Sequence, residues 1–170
     1  MTVIFIIAFL LCFLSYILHT ITHLLEFSGS KVPQIMDKYF HDIVHFGYLA
    51  WIIMLFTDPV RFNMPLYVLL IGIVVGTLGF FIMVGSMKAR KEAGKGNLIT
   101  KGLYSKFRHP MYIGMTLIMI GFPLAIGSNL TLLSAIIWIS QMIIWGYWEE
   151  KELAEQFGRE YTDYQKRTSF

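Results

Sequence analysis

The sequence predicts an all-α integral membrane protein of about five transmembrane helices. The last two should form a tight hairpin, followed by a cytosolic C-terminal helix. Composition gives the first reason: of 170 residues, 56% are hydrophobic and only 15% charged, against roughly 45–50% and 25% in a water-soluble domain. Mean hydropathy is accordingly positive, at +0.60. The apolar residues also arrive in runs near the length of about 20 that crosses a bilayer as a helix. No linker rich in Ser, Gly or Pro divides the chain, so residues 1–170 read as a single domain.

The first run, "MTVIFIIAFLLCFLSYIL", lacks the Lys or Arg of a signal-peptide n-region and shows no small-residue cleavage site, so it is expected to stay as the first span. The five apolar segments run from Val3 to Leu25, Val44 to Thr57, Pro65 to Ser86, Met111 to Gly127 and Leu130 to Tyr147. The second and fourth are short for a full crossing. Only Ser128-Asn129 separates the fourth from the fifth, which makes them antiparallel neighbours. Gly72 and Gly76 form a G-x-x-x-G in the third, where small residues let membrane helices approach closely. A lone cysteine, Cys12, rules out an internal disulfide and a cysteine-based metal cluster.

Charge placement orients the spans. The stretch "MKARKEAGKGNLITKGLYSKFRHP" holds Lys88, Arg90, Lys91, Lys95, Lys101, Lys106 and Arg108, half of all the Lys and Arg. By the positive-inside rule this loop is cytoplasmic. If every segment crosses, the Ser28–Tyr39 loop and the C-terminal tail share that side, and Asp58–Met64 lies opposite. Beyond the last span, Glu149 to Phe157 reads as a charged helix that Gly158 would cap. The net charge of +3 is modest, and no nucleic-acid partner is expected.

The chemistry gathers at "RHPMYIG". Pro110 suits the first position of a helix, Tyr112 an interface, and Arg108 a snorkelling position. Anchoring alone leaves His109 unexplained. Because the fourth and fifth segments are antiparallel, Arg108, His109 and Tyr112 should meet Trp148, Glu149 and Glu150 at one membrane face. Ionisable groups at that depth are expensive and tend to be functional, although two carboxylates capping an exposed helix is the plainer reading. Such a set of donors and carboxylates would suit a zwitterionic cofactor such as S-adenosylmethionine. No glycine-rich loop follows a strand, which excludes a Rossmann-type site.

"LITKGLYSKFRHPMYIG", followed about 35 residues later by "EEKELAEQFGREYTDYQKR", resembles the isoprenylcysteine carboxyl methyltransferases. It is similar, more loosely, to the phospholipid N-methyltransferases. The family pattern L-x-T-x-G-x-Y, R-H-P-x-Y-x-G, E-E-x-x-L and F-G-x-x-Y-x-x-Y is met without a gap over about the last 75 residues. The resemblance implies a membrane methyltransferase that uses S-adenosylmethionine. By motif, His109, Tyr112, Glu149 and Glu150 would contact the cofactor, with Leu98 and Tyr104 lining its edge. Arg108 and Arg167 would be the catalytic pair that orients the methyl acceptor. Asn97 stands where a histidine often precedes the L-x-T segment. Residues 87–170 then form the cofactor-binding region, and residues 1–86 supply acceptor-side spans. The partner is a lipid-soluble methyl acceptor within the membrane. A prenylcysteine-like carboxylate is the first expectation, and a phospholipid amine or a small thiol the alternative.

The first half carries its own signal. His19 and His23, and likewise His41 and His45, stand four apart and so share a helix face. On the expected topology all four lie toward the cytoplasmic side. They could form a hydrogen-bonded interfacial belt, an acceptor headgroup site or a metal site; they are assigned here to acceptor binding, and no metal is assigned. Two rival readings stand beside methyl transfer: a sterol-reductase-like NADPH enzyme, and a non-catalytic protein built on the histidines. The intact R-H-P-x-Y-x-G with Glu149-Glu150 argues against the reductase, while the non-catalytic reading predicts metal retention on purification and indifference to S-adenosylmethionine.

Overall fold

The computed structural model describes residues 1–28, 31, 33–94 and 96–170, apart from the side chains of residues 27, 35–37, 40 and 41. In chain order come α1 (Thr2–Phe27), α2 (Gln34–Thr57), α3 (Leu66–Ala93), a 3-10 turn (Gly102–Ser105), α4 (Pro110–Ile126), α5 (Asn129–Phe157) and α6 (Arg159–Gln165). No strand occurs among the described residues, only isolated bridges at Arg61–Ser128 and Phe107–Ser169. Stretches in α1, α3 and α5 are long and apolar enough to cross a membrane, while α4 and the Asp42–Thr57 part of α2 are shorter apolar helices.

Three boundaries differ from the hydropathy reading. Helix α2 starts at Gln34, ten residues before the apolar segment, because Gln34 to Ile43, a mixture of polar and apolar residues with no Gly or Pro, continues the same helix. Helix α3 runs on to Ala93, so Lys88, Arg90 and Lys91 are helical rather than in a loop. Helix α5 carries the fifth apolar segment and the charged stretch to Phe157 as one 29-residue helix. Charge changes the solvent a helix can enter, not its backbone geometry, and nothing between Tyr147 and Glu149 breaks the hydrogen-bond ladder. Gly158 does end the helix, with φ of 54° and its N–H on the Ala154 carbonyl.

Packing follows regular stripes. Phe5, Ala8, Cys12 and Tyr16 of α1 meet Ala50, Trp51 and Met54 of α2, Met115 and Met119 of α4, and Trp138, Met142 and Trp145 of α5. The spacings of three and four keep each set on one helix face. The opposite faces stay apolar and exposed, as at Leu10, Val74, Phe81 and Ile136. Water would oppose such a surface, and hydrocarbon would cover it. Helix α3 meets α4 backbone to backbone: a Cβ on Gly72 would lie 2.5 Å from the Ala125 nitrogen, and one on Gly79 would lie 2.6 Å from the Gly114 carbonyl oxygen.

The end of the bundle away from the basic residues is sewn together by polar side chains. Asp58, 1% exposed, accepts hydrogen bonds from the Val60 N–H (2.9 Å), the Thr131 N–H (2.8 Å) and the Thr131 hydroxyl (3.0 Å). These satisfy donors in the first turn of α5 that would otherwise lack partners. Arg61 donates to the Leu55 and Phe56 carbonyls at 3.0 and 2.7 Å, closing the C-terminus of α2. The α4–α5 hairpin turns at Gly127, in the left-handed conformation at φ 69°, and Ser128. This knot fixes the hairpin at one end and so sets what faces what at the other.

Candidate functional site

At the basic end, His109 is the residue before the first turn of α4, with Pro110 at the helix start. It is 4% exposed. Its Nδ1 lies 3.4 Å from Glu149 Oε2 and its Nε2 lies 3.3 Å from Glu150 Oε1. Tyr112 stacks on its ring at 5.5 Å, and Phe170 packs on it at 4.8 Å between centroids. Arg108 Nε donates to Glu150 Oε1 at 2.5 Å. Its Nη1 donates to the Thr168 carbonyl at 2.8 Å, and its backbone N–H to the Ser169 carbonyl at 2.7 Å. The motif histidine and arginine therefore meet the two carboxylates, as hairpin contiguity requires. They also grip the end of the chain.

The tail is docked by a second contact. The Tyr164 hydroxyl donates to the Tyr104 carbonyl at 2.7 Å. Burial raises the phenol of Tyr164 to about 12, against a lowering by the Arg108 charge, and burial also raises that of Tyr104 to about 12. Both phenols therefore stay protonated, and the Tyr164 O–H remains a donor. Burial raises Tyr161 further still. Its hydroxyl is buried and has no hydrogen-bond partner among the described residues.

Two cavities meet at this point. An outer one of about 550 Å³ lies under the 94–104 loop, walled by Leu98, Tyr104, Arg108, Leu153, Tyr161 and Tyr164 among others. An inner one of about 360 Å³ lies among α1, α2, α4 and α5, walled by His19, His23, His45, Tyr112, Trp145 and Trp148 among others. Glu149 and Arg90 line both. Both volumes fall in the range of small-molecule sites, about 300–1,000 Å³.

The helices explain the convergence. The α5 stripe Trp138–Met142–Trp145 continues at the same spacing into Glu149 and Glu152, and the α1 stripe continues through His19, His23 and Glu26. Each core face thus turns polar at the same end of the bundle. Arg90 reaches both cavities because it rides the last turns of α3; on a loop it would have no fixed direction.

Most expected site residues assemble here. Leu98 and Tyr104 line the outer cavity, Glu149 lies at the junction and Tyr112 on the inner side. Glu150 braces Arg108 and His109. His19, His23 and His45 line the inner cavity; the side chain of His41 lies outside the described residues. His19 and His23 are joined ring to ring at 3.1 Å. No group of three or more metal-ligating side chains comes together among the described residues.

The two arginines expected to orient the acceptor do not line the inner cavity. Arg108 is committed to Glu150 and to tail carbonyls, and Arg167 is exposed with its Nε on the Asp163 carbonyl at 3.1 Å. Arg167 lies two residues past the end of α6, with its backbone N–H on the Tyr164 carbonyl at 3.1 Å. Arg90 is the arginine that lines the inner cavity. Asn97 donates to the Ala93 carbonyl at 2.8 Å and closes α3. In the sequence Arg90 shows only as part of the basic stretch and Tyr161 only as part of the F-G-x-x-Y-x-x-Y motif, while Trp145 and Glu152 carry no motif, although the heptad-like spacing of Trp145, Glu149 and Glu152 signals a shared face.

A family model for phospholipid methyltransferases matches residues 67–160, more than half of the chain. The chain belongs to the phospholipid methyltransferase family. The match runs from the start of α3 to the start of α6 and contains Arg90, the R-H-P-x-Y-x-G motif and both glutamates. Of the two resemblances in the sequence, the looser one is therefore the family that matches. No curated protein and no solved structure gives a match. Family membership makes the protein a membrane methyltransferase, and enzymes of this type generally use S-adenosylmethionine.

Proposed function

We propose that the protein methylates the amine headgroup of a membrane lipid, using S-adenosylmethionine. The observation that carries this reading is the junction at Glu149 and Arg90, where an outer cavity suited to a nucleoside meets an inner cavity suited to an amine.

The outer cavity fits the cofactor chemically. The orphaned Tyr161 hydroxyl offers a buried polar contact. Leu98, Leu153 and Phe157 offer apolar walls for an adenine ring. Glu149 suits an ammonium or ribose hydroxyls, and Arg108 and Lys91 suit a carboxylate. The bound cofactor supplies a methyl group already activated on a sulfonium. What the chain must add is alignment and dryness. Orientation of reactants is worth about 7–11 kcal/mol in well-aligned cases, and the His109–Glu149 and Arg108–Glu150 contacts fix the direction of the side chains at the junction.

The inner lining favours an amine over a carboxylate. Glu149 and Glu152 outnumber Arg90, and Tyr16, Tyr48, Trp145 and Trp148 supply aromatic walls. Carboxylates and aromatic faces attract an ammonium and its methylated products. A carboxylate acceptor would face those same acids. A prenylcysteine carboxylate remains the second reading, favoured by Arg90 as a positively charged partner in the inner wall. Both readings place the cofactor on the cytoplasmic face, in keeping with the basic loop.

The test uses the protein in nanodiscs with methyl-labelled S-adenosylmethionine, and offers phosphatidylethanolamine and a prenylcysteine analogue separately. Amine methylation gives lipid-extractable label that alkali does not release as volatile methanol. Label released by alkali as methanol marks a methyl ester and would overturn the amine reading.

A further inference from the structure

An amine lipid is protonated near neutral pH; a comparable lysine amine titrates at about 10.4. It becomes a nucleophile only after losing a proton, and every methyl transferred leaves one proton behind. A proton left in the cavity would compete with the next ammonium for Glu149 and Glu152, the carboxylates in its wall. An enzyme that acts on such an acceptor needs an exit for it.

We infer that His19, His23 and Glu26 form that exit, an inference that rests on the amine reading above. His19 lines the inner cavity and packs against Trp145 at 4.2 Å between centroids. Its Nε2 lies 3.1 Å from His23 Nε2. On the far side of the same ring, His23 Nδ1 lies 3.4 Å from Glu26 Oε2. Exposure rises along the series: the His23 side chain is 32% exposed and that of Glu26 49%. The spacing of four and then three residues on α1 holds the three groups on one face, leading from the cavity to the helix end.

The steps balance. An N–H bond of the lipid ammonium breaks and the proton joins the His19 ring. The freed nitrogen lone pair forms the new N–C bond to the methyl group, and the S–C bond breaks with its electrons returning to sulfur. His19 Nε2–H then gives its proton to His23 Nε2, His23 Nδ1–H gives one to Glu26, and Glu26 releases it to water. Imidazole suits both relay positions because its two nitrogens can accept on one side and donate on the other.

Other titratable groups face this pair: Tyr16 on α1, His45 and Tyr48 on α2, Arg90 on α3, Tyr112 on α4, and Glu149 and Glu152 on α5. Glu149 is tied to His109. Glu152 lies near enough to His23 for a charge on one to attract the other. The His19–His23–Glu26 series is distinguished by successive contacts that lead outward.

The test is the pH profile of methyl transfer to phosphatidylethanolamine in nanodiscs for His19→Gln, His23→Gln and Glu26→Gln, with S-adenosylhomocysteine binding as the check of folding. General-base loss is worth about 100- to 10,000-fold, so kcat of the His19 and His23 variants should fall about 100-fold near pH 7. The deficit should shrink below about 5-fold as pH approaches the amine's own titration near 10, and added imidazole should restore part of it. Glu26→Gln should show a smaller deficit with the same trend. A deficit equal at every pH, or none, in variants that still bind S-adenosylhomocysteine would overturn the relay while leaving the amine reading intact. A wild-type protein that binds S-adenosylhomocysteine but transfers nothing to the amine lipid removes the amine reading and the relay with it.

Discussion

Arg108 and Glu150 stand 42 residues apart in sequence and 2.5 Å apart in space. One carboxylate oxygen of Glu150 receives both Arg108 and His109, and its other oxygen accepts from the Gln165 amide at 3.4 Å. The pair therefore joins the start of α4, the polar end of α5 and the tail after α6. It braces the site without itself facing the inner cavity.

Glu150→Ala should consequently act first on stability. Both side chains are about 15% exposed, and removing one partner of a buried pair costs about 3–5 kcal/mol. Thermal melting in detergent should drop by several degrees, and Glu150→Gln should recover part of the loss. An unchanged melting temperature would show that tail carbonyls alone hold Arg108.

Glu149 should behave differently because it faces both cavities. Hydrogen bonds to charged groups contribute about 1.5–3 kcal/mol, so Glu149→Ala should weaken S-adenosylhomocysteine binding about 10- to 100-fold. Calorimetry on the detergent-purified variant measures this directly. Wild-type affinity would remove Glu149 from the cofactor contacts.

Tyr164→Phe deletes the donor that holds the tail on the Tyr104 carbonyl. Leaving that buried carbonyl unpaired costs about 1–3 kcal/mol, and limited proteolysis should then cut near residues 165–170 first. The sign of the pH effect follows from the raised phenol: its ordinary value is 10.0 and its folded value about 12. This contribution is complete below pH 10 and is lost as pH rises toward 12. Alkaline loss of tail protection should be shallower in the phenylalanine variant.

Gly121→Val should impair folding rather than catalysis. A Cβ there would collide with Gly76 backbone atoms, with the Gly72 carbonyl oxygen only 2.7 Å away. Backbone cannot move aside as a side chain can, so the cost should reach the upper part of the roughly 1–3 kcal/mol of overpacking. Monodisperse yield after size-exclusion chromatography reports it, with Gly96→Ala, whose Cβ would meet nothing within 4 Å but sits at φ 80°, as a milder comparison.

Sequence by itself determined the membrane class, the helical architecture and the meeting of Arg108 and His109 with Glu149 and Glu150. These rest on composition, periodicity and a hairpin too short to allow another arrangement. Gly72 and Gly76 were legible for the same reason, since a close backbone approach leaves few residue choices. Only the tertiary structure decided that Arg90, not Arg167, reaches the inner cavity, and that Glu149 stands where two cavities join. It also decided that His19, His23 and His45 line the inner one together. Those outcomes depend on how far α3 and α5 continue past their apolar stretches and on how α1 and α2 are rotated against α4 and α5. Such rotations are settled by side chains packing across distant segments, among them Cys12, Met54, Trp138 and Met142 at the shared core, and by the Asp58 knot that anchors the far end. Local sequence reports a helix face; which neighbour that face meets is a property of the packed whole.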